Sequence, residues 1–527
     1  MSELNYKIEL ISGECLTGTA PAEGELRLVL PLHGTLRSVT AKLHLDISED
    51  ERIFINGFQT WTYCPEYTKK DRIRSLRRLP KLGVDHYGLD RYGDEYFVEY
   101  PDRPGVTHGE SWCYFRRGGV FRLIASLDER PGYTLFRYDA DRAELEIRRD
   151  CEGLTVDGDF HALDLIFLTG AEDEVFDAWF AAMGVKCRTS EKIAGYSSWY
   201  NRYENISERD IRTDLDGCAG VLTAGDLFQI DDGWEPEVGD WLESDEKKFP
   251  NGLRPLADDI HARGFKAGLW LAPFVCNARS KVFAEHPDWL LRHDGRPWYC
   301  GINWGGFYSL DIDHPEVRAY LKEVFRRVFD EWGFDLVKLD FLYGAAPFGS
   351  RFETRAGRMI RAMEFLRELC GDKLILGCGV PVMPAFGLVD YCRISCDVGL
   401  DWDGSWLMQQ THRERVSTRQ AMGNTIFRRQ LNGRAYLSDP DVFFLRDENI
   451  KLTDRQKRDL AALNALFGGM LLCSDNMANY DEEKKQLYRR VLHTREAKNI
   501  VVNADAPGAV IIEYELDGLH KLLKYEY

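Results

Sequence analysis

A chain of 527 residues is too long for a single hydrophobic core and predicts two or three domains. Hydrophobic residues make up 44% of it, which excludes a disordered chain. A net charge of −18 disfavours nucleic acid and anionic membrane as partners.

The chain opens with Met-Ser-Glu-Leu-Asn-Tyr-Lys-Ile-Glu-Leu, which has no apolar signal-peptide core, and no apolar run reaches membrane-spanning length. Thirteen cysteines occur without a Cys-x-x-Cys pair. Together these features predict a cytoplasmic protein with reduced thiols. Up to about residue 185 the sequence alternates in short runs such as 26–30, 39–45 and 144–147, separated by Gly and Asp. That pattern predicts an all-β sandwich.

Beyond residue 190 strand-like segments alternate with helical ones. The predicted strands are 194–200, 226–231, 265–272, 334–341, 373–378, 390–396, 434–438 and 468–473. The clearest helix enters at Asp313-His314-Pro315-Glu316, sets Val317, Tyr320, Leu321, Val324, Phe325, Val328 and Phe329 on one face, and stops at Gly333. Eight such strands predict a parallel barrel. After about residue 485 alternation returns, as in 509–514. The expected fold is therefore multidomain: a β-sandwich over 1–187, a (β/α)8 TIM-type barrel over 188–482 and a small β domain over 483–527.

Buried parallel strands stay apolar until their C-terminal ends, where function collects. Here Leu227-Phe228-Gln229-Ile230 runs into Asp231-Asp232, Gly268-Leu269-Trp270-Leu271 into Ala272-Pro273, and Leu336-Val337-Lys338-Leu339 into Asp340. Ile375-Leu376-Gly377 leads to Cys378, and Tyr391-Cys392-Arg393-Ile394-Ser395-Cys396 leads to Asp397. Strand periodicity puts Lys338 and Asp340 on one face and Arg393, Ser395 and Asp397 on another. Pointed inward, these faces set a Lys and an Arg beside two carboxylates. Glycoside hydrolysis needs such a pair, one carboxylate attacking the anomeric carbon while the other carboxyl protonates the leaving oxygen.

These segments resemble the α-galactosidases of glycoside hydrolase family 36, in particular their compact bacterial members. The likeness extends through Gly195-Tyr196-Ser197-Ser198-Trp199, Ser438-Asp439-Pro440-Asp441 and, in the sandwich region, Asn56-Gly57-Phe58-Gln59-Thr60-Trp61. It implies a retaining exo-α-galactosidase with Asp340 as nucleophile and Asp397 as general acid and base. It further implies Asp231 and Asp232 at the O4/O6 end of the sugar, with Lys338 and Arg393 donating to ring hydroxyls. Cys378 would lie near the sugar, Trp199 and Trp270 would form an apolar wall, and Trp61 would reach in from the sandwich. Asp401 and Asp403 stand as rivals for the acid/base role. An α-N-acetylgalactosaminidase, a transglycosylase and a non-catalytic carbohydrate-binding protein are the alternatives on the same scaffold.

Other signals carry blander explanations. Asp311-Ile312-Asp313-His314 fits a helix entry better than a metal site, and no zinc-spaced Cys/His set occurs. Cys392 and Cys396 suit buried packing. The basic run 69–78 suits a solvated loop or a subunit contact. Gly377-Cys378-Gly379 lacks the third glycine of a dinucleotide loop, so no cofactor is expected.

Overall fold

The computed structural model describes residues 3–96, 100–506 and 508–526. The N-terminal part is a ten-stranded antiparallel sheet built around two long strands, Gly24–His44 and Thr155–Ala171, which pair with each other. The predicted segments 26–30 and 39–45 both fall in the first of these. Leu36, Val39, Ala41 and Leu43 point the same way and are buried with Phe136, Leu145 and Ile147.

The strands Arg52–Ile55, Trp112–Arg117 and Val120–Ser126 are buried on both faces. Ile53, Ile55, Cys113, Phe115 and Ile124 join that inner core, whereas Phe54, Trp112, Tyr114 and Leu123 join a second core shared with the rest of the chain. The period-two alternation thus makes two layers and cements the sheet to its neighbour.

That neighbour is a nine-stranded, all-parallel sheet. Its strands Ile193–Ser197, Leu227–Ile230, Lys266–Leu271, Leu336–Leu339, Leu374–Gly377, Tyr391–Arg393, Leu437–Asp439 and Met470–Cys473 each overlap one of the eight predicted segments, the seventh by two residues only. The ninth, Val442–Phe443, is the continuation of the seventh beyond a kink at Asp441, whose φ is +75°. The first half pairs with the sixth strand and the second half with the eighth, so the kink nearly closes the barrel. Helices such as Glu208–Cys218, Arg254–Ala262, Pro315–Arg326, Arg355–Cys370 and Asp454–Phe467 separate the strands. The helix predicted from residue 313 starts two residues later, at Pro315, with His314 as its cap.

One helix of the ring is missing. Between the fifth and sixth strands the chain makes only a short 3-10 turn, Met383–Ala385. Phe386 there packs on Trp112, Trp179 and Phe180, so the helix Glu172–Met183 that precedes the barrel covers this side. Ion pairs of Arg434 with Asp173 and Asp177 fasten it.

A three-stranded antiparallel sheet, Lys498–Asn503, Ala509–Leu516 and Leu519–Glu526, ends the described chain. All thirteen cysteines are free thiols. Among the described residues no helix is long and apolar enough to cross a membrane.

Candidate active site

The C-terminal ends of the barrel strands surround a cavity of about 310 Å³, within the size range of small-molecule sites. Asp231, Asp232, Trp199, Trp270, Lys338, Asp340, Asp397 and Trp61 all line it. Eight of the ten residues singled out from the sequence therefore meet at one place, although they are drawn from positions 61 to 397.

Asp340 follows directly on the fourth strand. One carboxylate oxygen accepts from the Trp270 indole at 3.2 Å, and the other accepts from the Phe341 N–H at 2.8 Å. The second bond needs Phe341 in the left-handed region, with φ at +52°, a conformation uncommon for a bulky residue and typical of functional turns. Both bonds fix the direction of the carboxylate.

Asp397 sits beyond the sixth strand, its side chain 38% exposed toward the cavity. Loss of hydration among the surrounding groups pushes its carboxyl up to about 6, despite the opposing Arg393 guanidinium at 2.8 Å. A carboxyl raised in this way holds its proton in mildly acidic solution, as a general acid requires. The rivals Asp401 and Asp403 do not line the cavity. Asp403 is bound to Arg415 and Arg419, which hold its carboxyl below the usual range against the effect of burial.

At the cavity floor the Lys338 ammonium donates to Asp231 at 2.9 Å, and both side chains are buried. Burial works against that charge, but Asp231 and Asp340 more than reverse the effect and keep Lys338 protonated. Asp231 also accepts from Gln229 at 2.8 Å and from Ser197 at 3.4 Å. Asp232 accepts from the Trp304 indole at 2.8 Å. Burial pushes Asp232 up to about 6, while its hydrogen bonds to Glu235 and Trp304 pull the other way.

Arg393 and Cys378 lie behind the wall and do not face the cavity. Arg393, expected to donate to sugar hydroxyls, is bound to three carboxylates, Asp397 at 2.8 Å, Asp439 at 3.0 Å and Asp441 at 2.9 Å. One of its five N–H donors orients Asp397, and two more go to Asp439 and Asp441. Cys378 is fully buried, and burial pushes its thiol well above the ordinary range. Cys392 and Cys396 are likewise buried. Asp311 and Asp313 bind Arg358, and Asp313 also Arg361. In the basic run, Lys69 and Lys70 pair with Glu49, and Arg72 and Arg78 with Asp102.

Trp61 arrives from the sandwich on the loop 56–64. Arg428, buried after the helix Thr418–Phe427, donates to Asn56 Oδ1, to the carbonyls of Gln59, Thr60 and Ile394, and to Cys64 Sγ. Asn424 adds bonds with Cys64 N and Thr62 O. One side chain thus ties the Trp61 loop to the strand that carries Asp397. Gly379 completes the fit, because a Cβ there would stand 2.8 Å from the Trp61 ring.

The remaining wall is Tyr92, Glu204, Asn303, Trp304, Phe341, Tyr343, Glu414 and Val416. The indole N–H of Trp61 and the phenol of Tyr343 have no partner among the described residues. These are two donors that a hydroxylated ligand would satisfy.

Residues 198–360 match the family model described as Melibiase. The chain is 32% identical over 151 residues to an α-galactosidase of Lactobacillus acidophilus, a match covering 27% of this chain and 20% of that protein. It is 28% identical over 275 residues to an α-galactosidase of Escherichia coli, covering 50% and 36% respectively. The aligned parts therefore span little more than a third of these curated relatives at most.

Among solved structures, the α-galactosidase of Thermus thermophilus in complex with p-nitrophenyl α-D-galactopyranoside superimposes with a TM-score of 0.74 at 28% identity. That match covers 94% of this chain and 98% of that one. A family 36 α-galactosidase of Geobacillus stearothermophilus, at 14% identity and a TM-score of 0.59 over 97% and 80% of the two chains, shares the fold. Fold and site thus define a glycoside hydrolase. The chain is similar to the α-galactosidases, and in fold to those of glycoside hydrolase family 36.

Proposed function

We propose that this chain is a retaining exo-α-galactosidase that removes terminal α-D-galactosyl residues from small galacto-oligosaccharides by double displacement. The observation that carries the reading is that two carboxyl groups in contrasting surroundings share one sugar-sized cavity. Asp340, held as an acceptor by Trp270 and Phe341, attacks the anomeric carbon. Asp397, its proton retained by the loss of hydration at the cavity wall, protonates the glycosidic oxygen and later activates water. Asp231, Asp232 and Lys338 supply the acceptors and donor that read the hydroxyls of the sugar, and an axial O4 is discriminated by just such buried partners. Support also comes from the Thermus thermophilus relative, whose structures hold p-nitrophenyl α-D-galactopyranoside and stachyose.

In this reading the nine-stranded sheet acts as a (β/α)8 barrel that lacks one helix. The chain divides at 1–187, 188–482 and 483–527, following the change from antiparallel to parallel to antiparallel pairing.

The test is turnover of p-nitrophenyl α-D-galactopyranoside beside the α-glucoside and the α-N-acetylgalactosaminide, with a chelator present. Selective cleavage of the galactoside is expected. Cleavage of only another glycoside, or activity abolished by the chelator, refutes the assignment.

A further inference from the structure

Asp397 stands on a stretch of chain that neither strand nor helix holds. The sixth barrel strand ends at Arg393, and the next element, the helix Trp406–Thr411, begins well beyond it. A general acid must nevertheless be held to within about half an ångström of its productive place. On the main chain, the Asp397 carbonyl accepts from the N–H of Ser417 at 2.9 Å. Two further restraints run through Asp441. Its Oδ2 accepts from the N–H of Val398, the residue directly after Asp397, at 2.8 Å. Its Oδ1 lies 2.9 Å from Arg393 Nη2, and Nη1 of the same guanidinium donates to Asp397 Oδ1 at 2.8 Å.

Asp441 itself is buried behind the cavity wall. The Tyr200 hydroxyl donates to its Oδ2 at 2.6 Å, from the short helix Trp199–Arg202 whose first residue lines the cavity. Both carboxylate oxygens therefore have partners. The backbone of Asp441, with φ at +75°, is in a conformation that Gly takes freely and other residues rarely adopt. A kink alone would be served better by Gly, so what Asp adds here is the carboxylate. One guanidinium faces three carboxylates at this place, those of Asp397, Asp439 and Asp441. The other nearby cations have partners of their own. Lys338 binds Asp231, Arg415 binds Asp403, and Arg446 binds Asp475 and the Tyr200 carbonyl. Arg428 binds the carbonyls of Gln59, Thr60 and Ile394.

We propose that Asp441 is a positioning residue for the general acid: through Arg393 and the Val398 N–H it fixes the direction in which Asp397 presents its proton. The inference rests on the reading of Asp397 as the acid. Its consequence is a dependence on the leaving group. Proton donation matters most when the departing oxygen is strongly basic. A misdirected Asp397 therefore slows the galactosides of alcohols and spares those of acidic phenols.

The experiment measures kcat/KM on methyl and dinitrophenyl α-D-galactopyranoside for the wild type, Asp441→Asn, Asp441→Gly and Asp397→Ala, with thermal unfolding to show that each is folded. Asp441→Asn keeps the shape and tolerates the left-handed backbone but gives up the charge and one acceptor. Asp441→Gly keeps the kink and removes the carboxylate. Both are expected to lose about 10–100-fold on the methyl galactoside, part of what a general acid contributes, and less than about threefold on the dinitrophenyl galactoside. If Asp441→Gly fails to fold, Asp441→Asn decides. An equal loss on both substrates, or no loss on either, overturns the inference, because a merely loosened barrel slows every substrate alike. Asp397→Ala separates that failure from the failure of the reading beneath it. Should its loss also be the same for both leaving groups, Asp397 is not the general acid and the inference falls with it.

Discussion

Replacing Lys338 with Met removes a charge from the cavity floor while nearly preserving its length and its apolar stem. In the native protein the ammonium is 2.9 Å from Asp231, and both side chains are more than nine-tenths buried. The variant keeps the bonds from Gln229 and Ser197 to Asp231, but the carboxylate loses its counter-charge. Breaking a buried pair from one side costs about 3–5 kcal/mol. For a domain of this size that is a fall of roughly 5–10 °C in the thermal midpoint.

The pH dependence carries a definite sign. Lys338 is raised in the folded state, so its contribution is complete below the unfolded value of 10.5 and is lost only as pH rises through the still higher folded value. At neutral pH the whole effect is therefore present in the wild type. Thermal unfolding of the wild type, Lys338→Met and Lys338→Met/Asp231→Asn at about pH 5 and pH 7.5 checks both points. The double variant is expected to recover most of the lost stability and none of the activity. A Lys338→Met protein as stable as wild type at pH 7.5, or a double variant no better than the single one, refutes the argument.

Arg428→Met leaves the carbonyls of Gln59, Thr60 and Ile394 without their shared donor, at about 1–3 kcal/mol each. A lowered midpoint with a raised KM is expected as the Trp61 loop loosens, and calorimetry with kinetics checks it. Because loss of hydration raises Asp397 to about 6, kcat/KM on the galactoside should fall as pH rises through that range. In Asp397→Asn that alkaline limb disappears, and the loss of rate is far greater for poor leaving groups than for dinitrophenolate. Trp304→Phe removes the 2.8 Å bond to Asp232, so KM should rise roughly tenfold with kcat little changed. An unchanged KM would remove Trp304 from sugar recognition.

Much of the scaffold was legible because buried parallel strands write themselves as apolar runs ending in polar residues. Asp231, Asp340 and Asp397 could be picked out at three such ends, and each lines the cavity. The wall supplied by Tyr92, Asn303, Trp304 and Glu414 was not legible, since those residues lie outside the barrel strands, where no periodicity marks them. Trp304 had one available signal, its place before Gly305-Gly306 in a turn, but nothing local says that its indole reaches Asp232, 72 residues earlier.

The partners of Arg393 were hidden for a related reason. Its face on the strand could be read, but the two carboxylates that bind it from behind come from the kink at 439–441. The missing helix was also beyond the sequence pattern. Phe386 is covered by Trp112, Trp179 and Phe180, all at least 200 residues away along the chain. Long-range packing of this kind overrides local regularity.

The most direct test of the account is proton NMR of the sugar released from p-nitrophenyl α-D-galactopyranoside by the wild type and by Asp340→Asn. The account predicts α-galactose as the first-formed anomer with wild type and no turnover by a folded Asp340→Asn. β-Galactose formed first, or full activity without the Asp340 carboxylate, would contradict it.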